Sequence, residues 1–172
     1  MQQYELINYD RVLRFTGERI AHATSRRNIS AERDQLRWTD VDIYRTKGNQ
    51  YVLHKVGKSR VYHGGPNMCS GSGGRTTTSR VIFGQWEPDK VLDLAPCPVC
   101  KPPILEDMDK VNVERDRGVT FTSATGRGVV ESAYSQDEDD VTYLTKVSER
   151  ALRAASEVDD EIREAFLIET IA

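Results

Sequence analysis

Cysteine is scarce in this chain and odd in number, with three thiols at positions 69, 97 and 100 among 172 residues. With no export signal legible, three cysteines argue against a disulfide framework. Long apolar runs are also missing. No stretch reaches the 18 residues that a membrane-crossing helix would need, which excludes such a span. Met1-Gln2-Gln3-Tyr4-Glu5 offers neither a basic n-region nor an apolar h-region, so a cytoplasmic setting is the expectation. Apolar residues are few, at 38% against about 45–50% in an average globular chain, whereas charged residues reach 30%. The length suits one domain, or one domain with an appendage. A thin core of this kind predicts that something besides hydrophobic burial helps to hold the fold.

Charge is unevenly spread. Residues 1–101 carry a formal +6 and residues 102–172 a formal −9. Three readings follow: a basic front facing a polyanion, attraction between the two parts within the fold, or a solvated acidic helix.

The first half reads as β-rich. Arg11–Phe15 and Arg19–Ala23 are short β-prone runs broken at Thr16-Gly17-Glu18, which predicts a hairpin. Trp38–Thr46 alternates, with Val41 and Ile43 on one face and Asp40 and Asp42 on the other. Lys47-Gly48-Asn49 can turn the chain into Tyr51–Val56, giving a second hairpin, and Ser59–Tyr62 reads as a further strand. Five of the twelve glycines fall within residues 64–79, too many for a regular element. Val81–Phe83 reads as a strand, and Val91–Leu94 as a short helix or strand. A later hairpin is predicted from Val119–Thr122 and Val129–Tyr134, turning through Thr125–Gly128.

From Asp139 onward the period lengthens. Leu144, Val147, Ala151 and Ala155 recur at helical steps, as do Val158, Ile162, Ala165 and Phe166. Asp137–Asp140 would favour a helix start, and Ser156–Asp159 resembles a fresh cap, so two helices are expected. The predicted fold class is α+β: an antiparallel, hairpin-rich body, a zinc-stapled loop region and a helical acidic C-terminus. The predicted division is a β-rich domain over 1–136, with its metal region at about 61–103, and a helical segment over 137–172.

The metal expectation rests on spacing. Cys97-Pro98-Val99-Cys100 is a Cys-x2-Cys pair whose thiolates can enter one tetrahedral site. Upstream, His63 and Cys69 complete His-x5-Cys-x27-Cys-x2-Cys, three sulfurs and one nitrogen suited to zinc in a closed structural site. His54 is the alternative fourth ligand, and His22 is too remote in sequence to place. Two other readings stay open. Cys97 and Cys100 could form a redox dithiol, although prolines at 96, 98, 102 and 103 disfavour the helix that such pairs usually open. Alternatively, the three cysteines are unrelated and merely buried.

Val61-Tyr62-His63, then Cys69, then Pro96-Cys97-Pro98-Val99-Cys100-Lys101-Pro102 resembles the Ada-like metal-binding motif found in actinobacterial and phage proteins. The resemblance implies zinc and a bacterial or phage source. Ada's methyl-acceptor module uses four cysteines, whereas this chain has three and a histidine, so methyl transfer does not follow. Phe15–Arg19 and Ile43–His54 also resemble the hairpins of EXLDI-type proteins, from which no function follows.

No catalytic constellation is legible. There is no nucleophile elbow, and Gly71–Thr76 lacks the Gly-Lys-Ser/Thr ending of a phosphate-binding loop. No His-x-Glu accompanies the Cys-x2-Cys pair, as a zinc deaminase would require. Arg26, Arg27, Lys55, Lys58 and Arg60, interleaved with Trp38, Tyr44, Tyr51 and Tyr62 and extended by Arg75 and Arg80, could bind DNA or RNA. The Leu144-to-Phe166 stripe could dock on a partner helix as readily as on its own sheet. The reading carried forward is a non-enzymatic, zinc-stabilised binding or regulatory module acting through a protein partner. The alternative is a nucleic-acid-binding accessory factor.

Overall fold

A computed structural model describes residues 1–27, 35–63, 76–80, 94–102, 104 and 110–168, with only the backbone described at 76–80 and 110–112. The chain is mixed β and α, and it forms two compact units. The first comprises Met1–Arg26, Thr39–Gly57 and Arg117–Ala172; the second comprises Arg27–Trp38 and Lys58–Asp116. Residues 137–168 therefore share a unit with the N-terminal strands. No helix among the described residues is long and apolar enough to cross a membrane.

β1 (Gln2–Asn8), β2 (Arg11–Thr24), β3 (Arg37–Thr46), β4 (Tyr51–Ser59) and β9 (Arg117–Ser123) form an antiparallel curled sheet in the order β1-β2-β3-β4-β9, which belongs to the first unit except for Arg37–Trp38 and Lys58–Ser59. The hairpin expected to turn at Thr16–Glu18 is instead one long strand. The turn lies at Tyr9-Asp10, with Tyr9 at φ 58°. Gly17 serves close approach rather than turning, since a Cβ there would lie 2.3 Å from the Arg45 carbonyl oxygen. The hairpin formed by β3 and β4 stands as expected. The sheet curls until β1 meets β9, where Tyr9 N donates to the Gly118 carbonyl (2.7 Å) and Thr120 N to Asn8 Oδ1 (3.1 Å).

Among the described residues, three helices cover one face of the sheet: α1 (Gly126–Ala133), α2 (Lys146–Ser156) and α3 (Asp160–Leu167). The strand expected over 129–134 is thus mostly helix. Thr125 caps it by accepting from Gly128 N, and Gly126, Val129, Val130 and Ala133 point inward at helical spacing. Lys55 Nζ donates to the Ala133 carbonyl at the C-terminal end of that helix, where a cation is favoured, although burial pushes the lysine's pKa down. Asp137–Asp140 start no helix. Asp137 Oδ1 accepts from Asp139 N and Val141 N (2.9 Å each), closing a turn between β10 (Ser135–Gln136) and β11 (Thr142–Tyr143). The two later helices do form, and Asp159 is the cap of the second, accepting from Ile162 N. Val158 falls in the turn between them and is exposed.

The core joins Val41, Ile43, Tyr51 and Leu53 of the sheet to Val129, Val147, Ala151, Leu152, Ala155 and Ile162 of the helices. The Leu144-to-Phe166 stripe is therefore largely spent inside the unit. On the other face of the sheet, Leu6, Tyr44 and Val52 pack with Tyr4, Leu13 and Phe15. The Tyr51 hydroxyl donates to the buried Asp159 carboxylate (3.0 Å to Oδ2), and Arg45 pairs with the same group (2.9 Å). Burial first, and then this hydrogen bond, push the Tyr51 phenol above its usual 10.0. A phenol that titrates higher in the folded chain contributes stability that is intact below pH 10.0 and lost as pH rises through the folded value. The urea midpoint is therefore expected to fall between about pH 10 and pH 11.5, and to fall less steeply in Tyr51→Phe. Parallel slopes would contradict this role.

The second unit holds a sheet in the order β6-β8-β5-β7, built from β5 (Val61–His63), β6 (Thr76–Arg80), β7 (Ala95–Pro96) and β8 (Lys110–Glu114). Residues 76–79 fall in the stretch whose composition argues against a regular element, yet Thr76–Arg80 extends as a strand; Thr-Thr-Thr is β-branched and suits one. The strands are antiparallel except β5 and β7, which run parallel. The strand expected at 81–83 and the segment 91–93 lie outside the described residues.

Candidate metal centre

The parallel pairing of β5 with β7 assembles the site. Val61 faces Ala95 and Tyr62 faces Pro96, so the next residue on each strand is a candidate ligand, His63 and Cys97. Cys97 N continues the ladder by donating to the Tyr62 carbonyl (3.0 Å). Pro96 fits here because its missing N–H falls on a two-residue strand at the sheet edge. The chain then turns over Pro98-Val99-Cys100, with Lys101 N donating back to the Cys97 carbonyl (2.9 Å). Val99 N donates to Cys97 Sγ (3.4 Å), and Lys101 takes φ 46°. No helix opens at Cys97, which removes the usual setting of a redox dithiol.

One ring nitrogen of His63, Cys97 Sγ and Cys100 Sγ lie within 4.8 Å of one another and could hold a metal ion. His63 is fully buried, Cys97 is 2% exposed, and Cys100 reaches the surface. Cys100 Sγ stands 3.6 Å from His63 Nδ1. Metal–sulfur and metal–nitrogen bonds of about 2.3 and 2.0–2.1 Å at a tetrahedral angle imply a separation of about 3.6 Å between the two ligand atoms. The residues present therefore fit a tetrahedral ion.

The other imidazole nitrogen is also engaged. His63 Nε2 lies 2.9 Å from Oε1 of Glu114, whose side chain is fully buried. Burial alone would raise the Glu114 carboxyl, but hydrogen bonds from Arg37, Ser59 and His63, with the charge of Arg37, hold it down at about 2. Ser59 Oγ donates to Oε2 (2.6 Å), Arg37 Nε donates to Oε2 (2.9 Å), and a second Arg37 nitrogen contacts Oε1. An ionised carboxylate only accepts, so Nε2 is the donor of this pair, which leaves Nδ1 as the ring nitrogen free to ligate on the side of the sulfurs.

The sequence-derived candidates divide. His63, Cys97 and Cys100 come together, whereas Cys69 lies outside the described residues. His54 sits on β4 in the first unit, its Nε2 on the Ile7 carbonyl (3.0 Å), and is no part of this cluster. His22 Nδ1 meets Asp42 Oδ1 at 2.7 Å. Among the basic residues, Arg26 and Lys55 belong to the first unit and Arg27, Lys58, Arg60 and Arg80 to the second; Arg75 lies outside the described residues. Arg80 faces Lys110 in register across β6 and β8. Tyr44, Tyr51 and Tyr62 are buried at 4%, 0% and 4% exposure, so they offer no open stacking face. Glu114, Arg37 and Ser59 had no sequence signal, because nothing in an alternating strand such as Lys110–Glu114 distinguishes a buried acid from a solvated one. No family model, curated protein or solved structure matches the chain.

Proposed function

We propose that the protein is a zinc-stabilised, non-enzymatic binding module acting on a protein partner. The observation that carries this reading is the buried Glu114–His63 pair behind two cysteines. A histidine held through one nitrogen by an anchored carboxylate is the usual outer support of a metal ligand. One imidazole and two thiolates favour zinc over the harder divalent ions, and Cys69 is the fourth ligand in this proposal. Four protein ligands close the site, leaving no position for a reacting water, so the ion staples rather than catalyses. The resemblance to the Ada-like motif agrees with this ligand set, and a bacterial or phage cytoplasm, which keeps thiols reduced, belongs to the same proposal.

A protein partner is favoured over nucleic acid because the tyrosines interleaved with the cations are buried. Close to Cys100, Val99 at 62% and Ile104 at 67% exposure put apolar side chains at the surface beside the exposed Lys101. The test is binding of zinc-loaded protein to single- and double-stranded DNA and RNA at about 50 mM salt, followed by a salt titration. No binding is expected. Affinity that falls steeply with salt, by about tenfold or more between 50 and 200 mM, would overturn the protein-partner reading in favour of nucleic acid.

A further inference from the structure

The two sulfurs of the candidate centre face different surroundings. Cys100 is exposed at the end of its turn, whereas Cys97 is buried and takes a hydrogen bond from Val99 N on its sulfur. Access governs which thiolate an oxidant in solution meets first. The pair also has the Cys-x2-Cys spacing at which thiols readily form a disulfide, and both sulfurs lie within a 4.8 Å cluster. We propose that Cys100 is an oxidation site for a small peroxide, that Cys97 resolves the product as a disulfide, and that the ion is released. This rests on the zinc reading above and adds a regulation to the same site.

The chemistry closes without further reagents. Cys100 Sγ attacks one peroxide oxygen; the S–O bond forms, the O–O bond breaks, and the departing hydroxide takes a proton from solvent. Cys97 Sγ then attacks the Cys100 sulfur; the S–S bond forms, the S–O bond breaks, and a second hydroxide leaves and is protonated. The sulfurs together give up two electrons, and the peroxide is reduced to two waters. Two thiolate ligands are thereby lost at once. His63 stays held by Glu114, so reduction of the disulfide restores a site that can reload.

Zinc-loaded full-length protein, its metal content measured first, is titrated with hydrogen peroxide beside a chromogenic zinc chelator, with peptide mapping under non-reducing conditions. About one zinc released per peroxide consumed is expected, with a Cys97–Cys100 disulfide and rebinding of zinc after treatment with a dithiol. Zinc retained under excess peroxide, a Cys100 sulfinic acid without a disulfide, or a disulfide to Cys69 overturns the inference and leaves the zinc reading standing. Protein that holds no zinc before peroxide is added overturns both.

Discussion

On the zinc proposal, Cys97→Ser is expected to abolish metal binding and, with it, the fold of the second unit. A serine hydroxyl remains protonated at neutral pH and is a poor ligand where a thiolate is needed. Structural zinc can contribute on the order of 10 kcal/mol of folding free energy, comparable to the whole stability of a typical domain at about 5–15 kcal/mol. The first unit keeps its own core around Ile43, Leu53, Leu152 and Ile162. Amide exchange should therefore accelerate by several orders of magnitude at Val61–His63 and Ala95–Cys97, while Val41–Ile43 and Tyr51–Leu53 stay protected. Chelation of the unaltered protein should reproduce this pattern. Full metal content with unchanged exchange in Cys97→Ser would remove Cys97 from the site.

The second large effect is expected at Glu114. Glu114→Gln keeps the volume but removes the charge that binds Arg37 and accepts from His63 Nε2. Outer partners of a ligating histidine typically contribute about 10–100-fold in metal affinity, and a loss within that range is expected in competition with a chromogenic chelator. The buried site also loses a charge-assisted pair, so the metal-free protein should be less stable by on the order of 2 kcal/mol. Arg37→Met provides the contrast. It removes one of the donors that hold Glu114 but leaves the contact to His63, so its effect on affinity should be smaller. Equal affinity for zinc in Glu114→Gln and the unaltered protein would show that the carboxylate supports the strand and not the ligand.

The local chemistry of the site was legible in the sequence, and its support was not. Cys-x2-Cys declares itself by spacing, because the thiolates must converge over a short turn, whereas spacing leaves the histidine open between His63 and His54. That His63 reaches them depends on a parallel pairing of two- and three-residue strands, which no periodicity announces. Glu114 is 51 residues from His63 and lies in a strand whose alternation suits an exposed acid equally well. The β3–β4 hairpin and the two C-terminal helices follow from alternation, a permissive turn and a capping aspartate. The misplaced elements share a cause. Gly17 and the Gly126–Gly128 segment invite a turn, but the first makes room for a neighbouring backbone and the second opens a capped helix. In the same way Asp137 closes its own turn with its side chain, so the acids that follow never reach a helix.

The central claim is that His63, Cys97 and Cys100 hold one ion, and X-ray absorption on the purified protein, together with metal analysis, tests it most directly. The expected result is one zinc per chain, with sulfur neighbours at about 2.3 Å and one imidazole nitrogen at about 2.0 Å. No bound metal, with Cys97 and Cys100 freely reactive toward a thiol reagent before any chelator is added, would contradict the account.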